Sequence, residues 1–320
     1  MTTTTSPNAA GALEALLEAA KTVNAVPLWP VLGTLSTPEP RPKAVPHVWP
    51  FAVMRPFCEA AAKLVGTEYA ERRVFSLINP ALGDPYTTDT LYAGLQLILP
   101  GEIARAHRHV AFALRFIIEG DGAFTAVGGE KVTMSRGDVI LTPQWEFHDH
   151  GHEGTTPMIW LDGLDLPVYT FFPANFAQPY AAEQYPSTPA DGESHLKYPW
   201  AEMQARLDAQ PDPFAYAEYT HRRDGGPISR VIGAAAERIA ARSSAPARRE
   251  TAGVIYHVYE GRGKTHIGDK TLSWEPGDTF CVPSWTQYRH EATTQSYLFR
   301  YDDAPVLRAI GGYRSEQGAA

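Results

Sequence analysis

The chain predicts an all-β protein of two similar halves, preceded by a helical and proline-rich arm. Three observations predict it. First, runs rich in Val, Ile, Phe and Tyr at 91–99, 112–118, 123–127, 139–142 and 158–161 alternate with Gly, Asp and Pro. That texture belongs to antiparallel sandwiches or barrels. Second, a later β-rich block at about 216–303 repeats the turns of the first. Glu119-Gly120-Asp121-Gly122 returns as Glu260-Gly261-Arg262-Gly263, and Gly137-Asp138-x4-Pro143-x-Trp145 returns as Gly277-Asp278-x4-Pro283-x-Trp285. A fixed offset of this kind marks an internal repeat. Third, 320 residues with 44% hydrophobic content suffice for two domains with full cores.

Taken in order, residues 8–23 carry Leu13, Leu16 and Leu17 at helical spacing and predict an amphipathic helix. Residues 24–56 hold eight prolines and predict an extended arm. Residues 57–73 read as a second helix, ending at Glu71-Arg72-Arg73. The first β block fills 88–177. Residues 178–215 are polar, with a helical stretch near Trp200–Leu207, and read as a connector to the second block at 216–320. The arm and its helices make up 1–87.

The net charge of −8 and pI near 5.8 argue against nucleic acid as a partner. Two distant cysteines, Cys58 and Cys281, form no disulfide framework and suit a reducing cytoplasm. No apolar run is long enough for a membrane, and the first residues do not read as a signal peptide.

The chemistry concentrates in two triplets, His107-Arg108-His109 and His148-Asp149-His150. Imidazoles one residue apart on a strand share a face, because side chains alternate with period two. A third histidine from a later strand completes a set that caps one face of a divalent transition metal and leaves the other face open. Arg115 and Gln96 are the polar residues of otherwise apolar strands. A buried Arg must be paired. Its fork suits a substrate carboxylate, or else a protein carboxylate such as Asp162 or Glu119. Gln96 needs a partner too, either substrate or another protein group. Tyr92, Gly94 and Gln96 share one strand face.

Each β block resembles the cupin motif pair, so the chain resembles a bicupin. The first block resembles the gentisate and salicylate ring-cleaving dioxygenases, through LYAGLQLILPGEIARAHRH, ALRFIIEGDGAFTAVGGEKV, GDVILTP, HDHG and WLDGLD. The resemblance is strong over about 47–175 and weaker over 195–315. It implies two jelly-roll domains and one iron(II) per chain on His107, His109 and His148. A cupin usually adds a glutamate shortly after its HxH; here Ala113 stands there. The site should therefore be three-histidine, and its uncompensated charge favours an anionic chelating substrate. The ligands alone would also suit zinc.

The resemblance further implies that His150 is a substrate hydrogen-bond donor or acid/base group rather than a fourth ligand. It sets Tyr92, Gly94 and Gln96 against the substrate ring, with Gly94 leaving room. It brings one of Arg72 and Arg73 into the pocket. In the second block the HxH positions become Arg248 and Glu250, and His290 stands two residues late for a third ligand. That block should hold no metal.

The implied reaction is O2-dependent opening of a small aromatic hydroxy acid between its carboxyl-bearing and hydroxyl-bearing carbons. Val110-Ala111-Phe112 after the HxH, Phe147, and His221-Arg222-Arg223-Asp224-Gly225-Gly226 depart from the gentisate pattern. They point toward salicylate, a nitro- or aminosalicylate, or a hydroxynaphthoate. The alternatives are another metal-cupin enzyme, such as an isomerase or lyase, or a non-enzymatic cupin binding protein. A homo-oligomer is expected, as a tetramer, with the arm reaching a neighbouring subunit.

Overall fold

The computed structural model describes residues 7–66, 70, 72–190 and 194–318. They fall into two compact units, 1–41 and 42–320. In the first, a helix spans Pro7–Lys21. It stops where Asn24 turns left-handed at φ 58°. Asn24 N–H then bonds Lys21 O at 3.0 Å, and Ala25 N–H bonds Ala20 O at 3.0 Å. This pairing satisfies the last helical carbonyls. One further turn of helix, Leu32–Leu35, follows where the arm was expected to be extended.

The second unit contains two barrels, each closed by two facing sheets, as the repeat predicts. In the first barrel one sheet runs Lys197–Tyr198, Val139–Thr142, Ala113–Glu119, Met158–Leu164, Tyr92–Ile98, Val74–Ser76. Its partner runs Ala177–Pro179, Ile103–His109, His148–His152, Ala123–Val127, Glu130–Thr133, Thr188–Pro189. The second barrel repeats the plan around Val254–Glu260 and Ser296–Asp302 in one sheet and Gly263–Ile267 and Tyr288–Ala292 in the other.

The main sheets of the two barrels pack outer face to outer face. Leu95, Leu97, Leu114, Phe116 and Leu161 share a core with Ala234, Ala236, Phe299 and Tyr301. The Phe116 and Phe299 rings stack at 4.6 Å. Alternate residues, Ile117, Ile140 and Trp160, point into the first barrel with Ile98, Met134 and Met158. Strands buried on both faces read as nearly unbroken apolar runs. An inward Arg115 is therefore conspicuous.

The segment before the first barrel departs from expectation. Residues 57–73 are not one helix; the helix is Phe51–Leu64, and 67–69 and 71 lie outside the described residues. It starts early because Phe51 N–H donates to Asp278 Oδ1 at 2.8 Å, on the Gly-Asp turn of the second barrel. Pro56 falls in its early turns, and Pro50 is its extended cap. His47–Trp49, expected within the extended arm, is an edge strand paired with Cys281, Phe280 and Thr279. The 197–208 segment repeats this arrangement on the first barrel. Lys197–Tyr198 pairs with Ile140 and Val139, and Trp200 N–H donates to Asp138 Oδ1 at 3.3 Å.

Candidate metal centre

Three imidazoles meet inside the first barrel. His107 and His109 come from Ile103–His109, and His148 from the adjacent antiparallel strand, where His107 lies directly opposite it. A bulge between Ala104 and His107 re-aims the end of the first strand toward the barrel axis. The ligand atoms all lie within 4.8 Å of one another.

Each Nδ1 sits by a backbone carbonyl: His107 by Arg105 O at 3.3 Å, His109 by Ala111 O at 2.7 Å, His148 by Glu146 O at 3.0 Å. A carbonyl only accepts, so each Nδ1 carries the proton and each Nε2 keeps its lone pair. Such carbonyl bonds fix the tautomer and ring orientation of metal-bound histidines. The buried His148 Nε2 has no hydrogen-bond partner among the described residues.

Burial, aided by the charge of Arg72, holds His107 down at about 3. Burial holds His109 at about 4 and His148 well below the usual range. All three are neutral at physiological pH, as ligands must be. Ala113 stands at the usual position of a cupin glutamate, and among the described residues no carboxylate joins the cluster. Three neutral donors of this tautomer fit a divalent transition metal.

The opposite wall carries the other expected residues. Arg115, Asp162, Gly94 and Ser76 form one cross-strand row, and Ile117, Trp160, Gln96 and Val74 the next on the same face. Arg115 is buried. Its Nη1 donates to Thr142 Oγ1 at 2.6 Å, while its Nε lies 3.2 Å from Asp162 Oδ1, off the hydrogen-bond direction. Burial lowers Arg115 and raises Asp162, each offset in part by the other. Asp162 is thus the protein carboxylate beside Arg115, and Glu119 instead pairs with Arg55 at 2.7 Å. The pair leaves the guanidinium fork only partly used.

His150 is fully buried beside the three-histidine cluster, with its ring 5.9 Å from that of His148. Its Nδ1 meets Thr125 Oγ1 at 2.9 Å, and its Nε2 has no hydrogen-bond partner among the described residues. The Thr125 hydroxyl has a weak sulfur acceptor in Met134 and a strong one in His150 Nδ1. With Thr125 as donor to His150 Nδ1, the imidazole proton sits on Nε2; with Thr125 donating to Met134, it sits on Nδ1.

Arg72 and Arg73 separate clearly. Arg73 is buried, ion-paired with Glu102, and bonded to Val65 O. The charge of Arg72 acts on His107, His150 and Asp162, and its Nη2 reaches Arg105 O at 3.4 Å. Of the two, Arg72 is the one whose charge is felt at the histidines. Gly94 does not leave open room: an added Cβ would lie 2.5 Å from Tyr92 Oη and 2.6 Å from Val74 Cγ1. The Tyr92 hydroxyl, also bonded to Ser76 Oγ at 3.2 Å, fills that space.

Residues 94–164 match the cupin domain family. A gentisate 1,2-dioxygenase from Aquipseudomonas alcaligenes is 38% identical over 91% of this chain and 92% of its own length. The chain belongs to the gentisate 1,2-dioxygenase family. A 5-aminosalicylate 1,2-dioxygenase from Comamonas sp. is 32% identical over 96% of the chain and 91% of its own length. The salicylate 1,2-dioxygenase of Pseudoaminobacter salicylatoxidans, solved with gentisate, superposes with a TM-score of 0.89 at 31% identity. That match covers all of this chain and 96% of the other. The family fold is the bicupin, and its chemistry is aromatic ring cleavage by a metal-dependent dioxygenase. Among the described residues no helix is long and apolar enough to cross a membrane.

The second barrel shows what replaces a metal site. Thr265 lies opposite His290 as Thr125 lies opposite His150, and Ile267 opposite Tyr288 as Val127 opposite His148. His290 is therefore the counterpart of His150, not a displaced third ligand. Arg248, Glu250 and Tyr288 hold the three ligand positions. Arg248 pairs with the fully buried Glu237, and Arg300 with Glu250 at 2.9 Å and Asp302 at 2.7 Å. Burial pushes the Glu237 carboxyl up, but Arg248, His290 and Arg300 together outweigh it and hold it low. Ion pairs occupy the positions that correspond to the three histidines.

Proposed function

We propose that this chain is an iron(II) dioxygenase that opens a salicylate-type or gentisate-type hydroxybenzoate between its carboxyl-bearing C1 and hydroxyl-bearing C2, using O2. One iron per chain would be held by His107, His109 and His148. The observation that carries this reading is the pairing of a carboxylate-free three-histidine cluster with a buried, partly unpaired arginine across the barrel. The ligand set leaves positive charge uncompensated, and Arg115 adds more. An anionic chelating acid satisfies both.

When bound, iron(II) supplies the redox centre through which ring and dioxygen exchange electrons. The chain supplies placement and charge compensation. Arg115 holds the substrate carboxylate through the guanidinium N–H groups that Thr142 and Asp162 leave unused. His150 donates its Nε2 proton to an oxygen of the reacting centre and can take it back. Gln96, one row along from Arg115, orients the ring hydroxyl, and Tyr92 walls the ring beside Gly94. Arg72 adds a second positive charge at the mouth. The first barrel draws its strands from 74–198, beyond the 88–177 expected, and the second from 214–317 with the His47–Trp49 edge strand, so 178–215 is not a plain connector. The working form is a homo-oligomer, a tetramer.

The test is oxygen uptake by iron-loaded protein with gentisate, salicylate, 5-aminosalicylate, 5-nitrosalicylate and 1-hydroxy-2-naphthoate. Uptake with at least one is expected; uptake with none would overturn the reading. Light scattering tests the assembly, since a mass near 35.1 kDa would refute it.

A further inference from the structure

The residues between the histidines face away from the metal. By strand alternation Arg108 and Asp149 lie on the outer side of the sheet whose inner side carries His107, His109 and His148. One segment, 176–185, pairs at the edge of that sheet through Ala177–Pro179 and then contacts both residues. Arg108 donates to Gln178 Oε1 through Nε at 2.9 Å and Nη2 at 2.7 Å, and its guanidinium lies 4.5 Å from the Trp145 and Phe147 rings. Asp149 is fully buried and accepts from Tyr185 N–H at 2.9 Å and Gln184 Nε2 at 3.4 Å. The Phe147 ring, just before His148, stacks on Tyr185 at 5.2 Å. Between these anchors Ala106 N–H donates to Glu183 O, and Tyr180 N–H donates to Ala106 O.

The second barrel separates the parts of this clasp. There Arg249 lies 4.5 Å over Trp285 and pairs at 2.7 Å with Glu316, its partner on the Ser315–Gln317 strand. The arginine–tryptophan clasp thus occurs in both barrels and serves the fold. The counterpart of Asp149 is different. It is Arg289, which pairs with Glu291 on its own strand at 2.8 Å. The tether from the strand to that edge segment through a buried carboxylate is present in the barrel that carries the histidines. A carboxylate kept out of water there must be satisfied by its bonds, so it holds the strand to the segment rather than merely touching it.

We propose that Asp149 is a positioning residue that, through Tyr185 and Gln184, fixes the strand between His148 and His150 and so sets how tightly the three histidines hold their metal. The proposal rests on the three-histidine reading above. Partners that orient ligands typically account for about 10–100-fold in metal affinity.

The experiment is anaerobic cobalt(II) titration of the full chain against a competing chelator, beside thermal melts of the metal-free protein. Asp149→Ala is expected to weaken cobalt binding by about 10–100-fold. Asp149→Asn, whose carbonyl oxygen still accepts the Tyr185 N–H, should recover most of that affinity. Arg249→Ala, at the clasp of the second barrel, should lower the melting temperature and leave cobalt affinity unchanged. Should Asp149→Ala not fold, Tyr185→Pro deletes the same N–H and is expected to weaken binding likewise. Wild-type affinity in Asp149→Ala or Tyr185→Pro, or an equal loss in Arg249→Ala, would overturn the proposal. A wild-type chain that takes up no cobalt would instead overturn the three-histidine reading on which it depends.

Discussion

Arg115 has two jobs in this account, and substitution can separate them. It lies 3.2 Å from the buried Asp162 and donates to Thr142 at 2.6 Å, so it is part of the core. Its remaining fork is assigned to the substrate carboxylate. Arg115→Ala therefore removes both. Leaving Asp162 buried without its partner costs about 3–5 kcal/mol of stability. Losing the carboxylate contact costs about 2–5 kcal/mol in kcat/KM, roughly thirty-fold to several-thousand-fold. Arg115→Lys keeps a cation near Asp162 but loses the planar fork. It should melt near wild type, retain its metal, and show raised KM with lowered kcat. The decisive variant is Arg115→Met combined with Asp162→Asn, which removes both charges and so restores stability without restoring activity. The assay is oxygen-uptake kinetics with melts and metal content on the same preparations. A folded, metal-loaded double variant with wild-type kcat/KM would refute the reasoning and move the carboxylate to Arg72.

Other outcomes follow from the same geometry. His107→Ala should lose stoichiometric metal by elemental analysis of anaerobically purified protein; full retention would remove His107 from the site. Arg248→Met should destabilise by about 3–5 kcal/mol, because the buried Glu237 loses its main partner, while metal content stays at one per chain. A variant as stable as wild type in denaturant melts would contradict that network. Asp165, buried and bonded by Phe112 N–H at 2.8 Å, is raised by burial from 3.8 to about 7. Its folded pKa lies above its unfolded one, so its contribution is fullest below 3.8 and is lost as pH rises through about 7. Asp165→Asn keeps an acceptor for Phe112. It should be more stable than wild type above neutral pH by on the order of 1–3 kcal/mol, with a flatter pH–stability curve between those limits. An unchanged curve would show that Asp165 stays ionised when folded.

The two barrels and the histidine cluster were legible because both rest on local periodicity. Alternation put His107 and His109 on one face, and the repeated Gly-Asp and Pro-x-Trp turns marked the strands around them. His47–Trp49 was not legible, since its partner Thr279–Val282 lies far along the chain and prolines flank it on both sides. A signal was available in the shared pattern of Trp49-Pro50-Phe51 and Tyr198-Pro199-Trp200, each beginning a helix on the Gly-Asp turn of a barrel. The role of His290 was recoverable as well, because the offset from Pro143 to His148 equals that from Pro283 to Tyr288. Arg72 and Arg73 could not be told apart, because they precede the Val74–Ser76 strand and alternation has no purchase there. The room attributed to Gly94 failed for a packing reason: the Tyr92 side chain on the same face folds over it.

The central claim, that this barrel inserts dioxygen into a hydroxybenzoate ring, is tested most directly with isotopically labelled O2. Iron-loaded protein would be given the hydroxybenzoate that it turns over fastest, and the ring-opened product analysed by mass spectrometry. The expected result is one dioxygen consumed per ring opened, with both labelled atoms in the acyclic product and no turnover by His148→Ala. A product carrying one labelled atom with the ring intact, or labelled product from His148→Ala at the wild-type rate, would contradict the account.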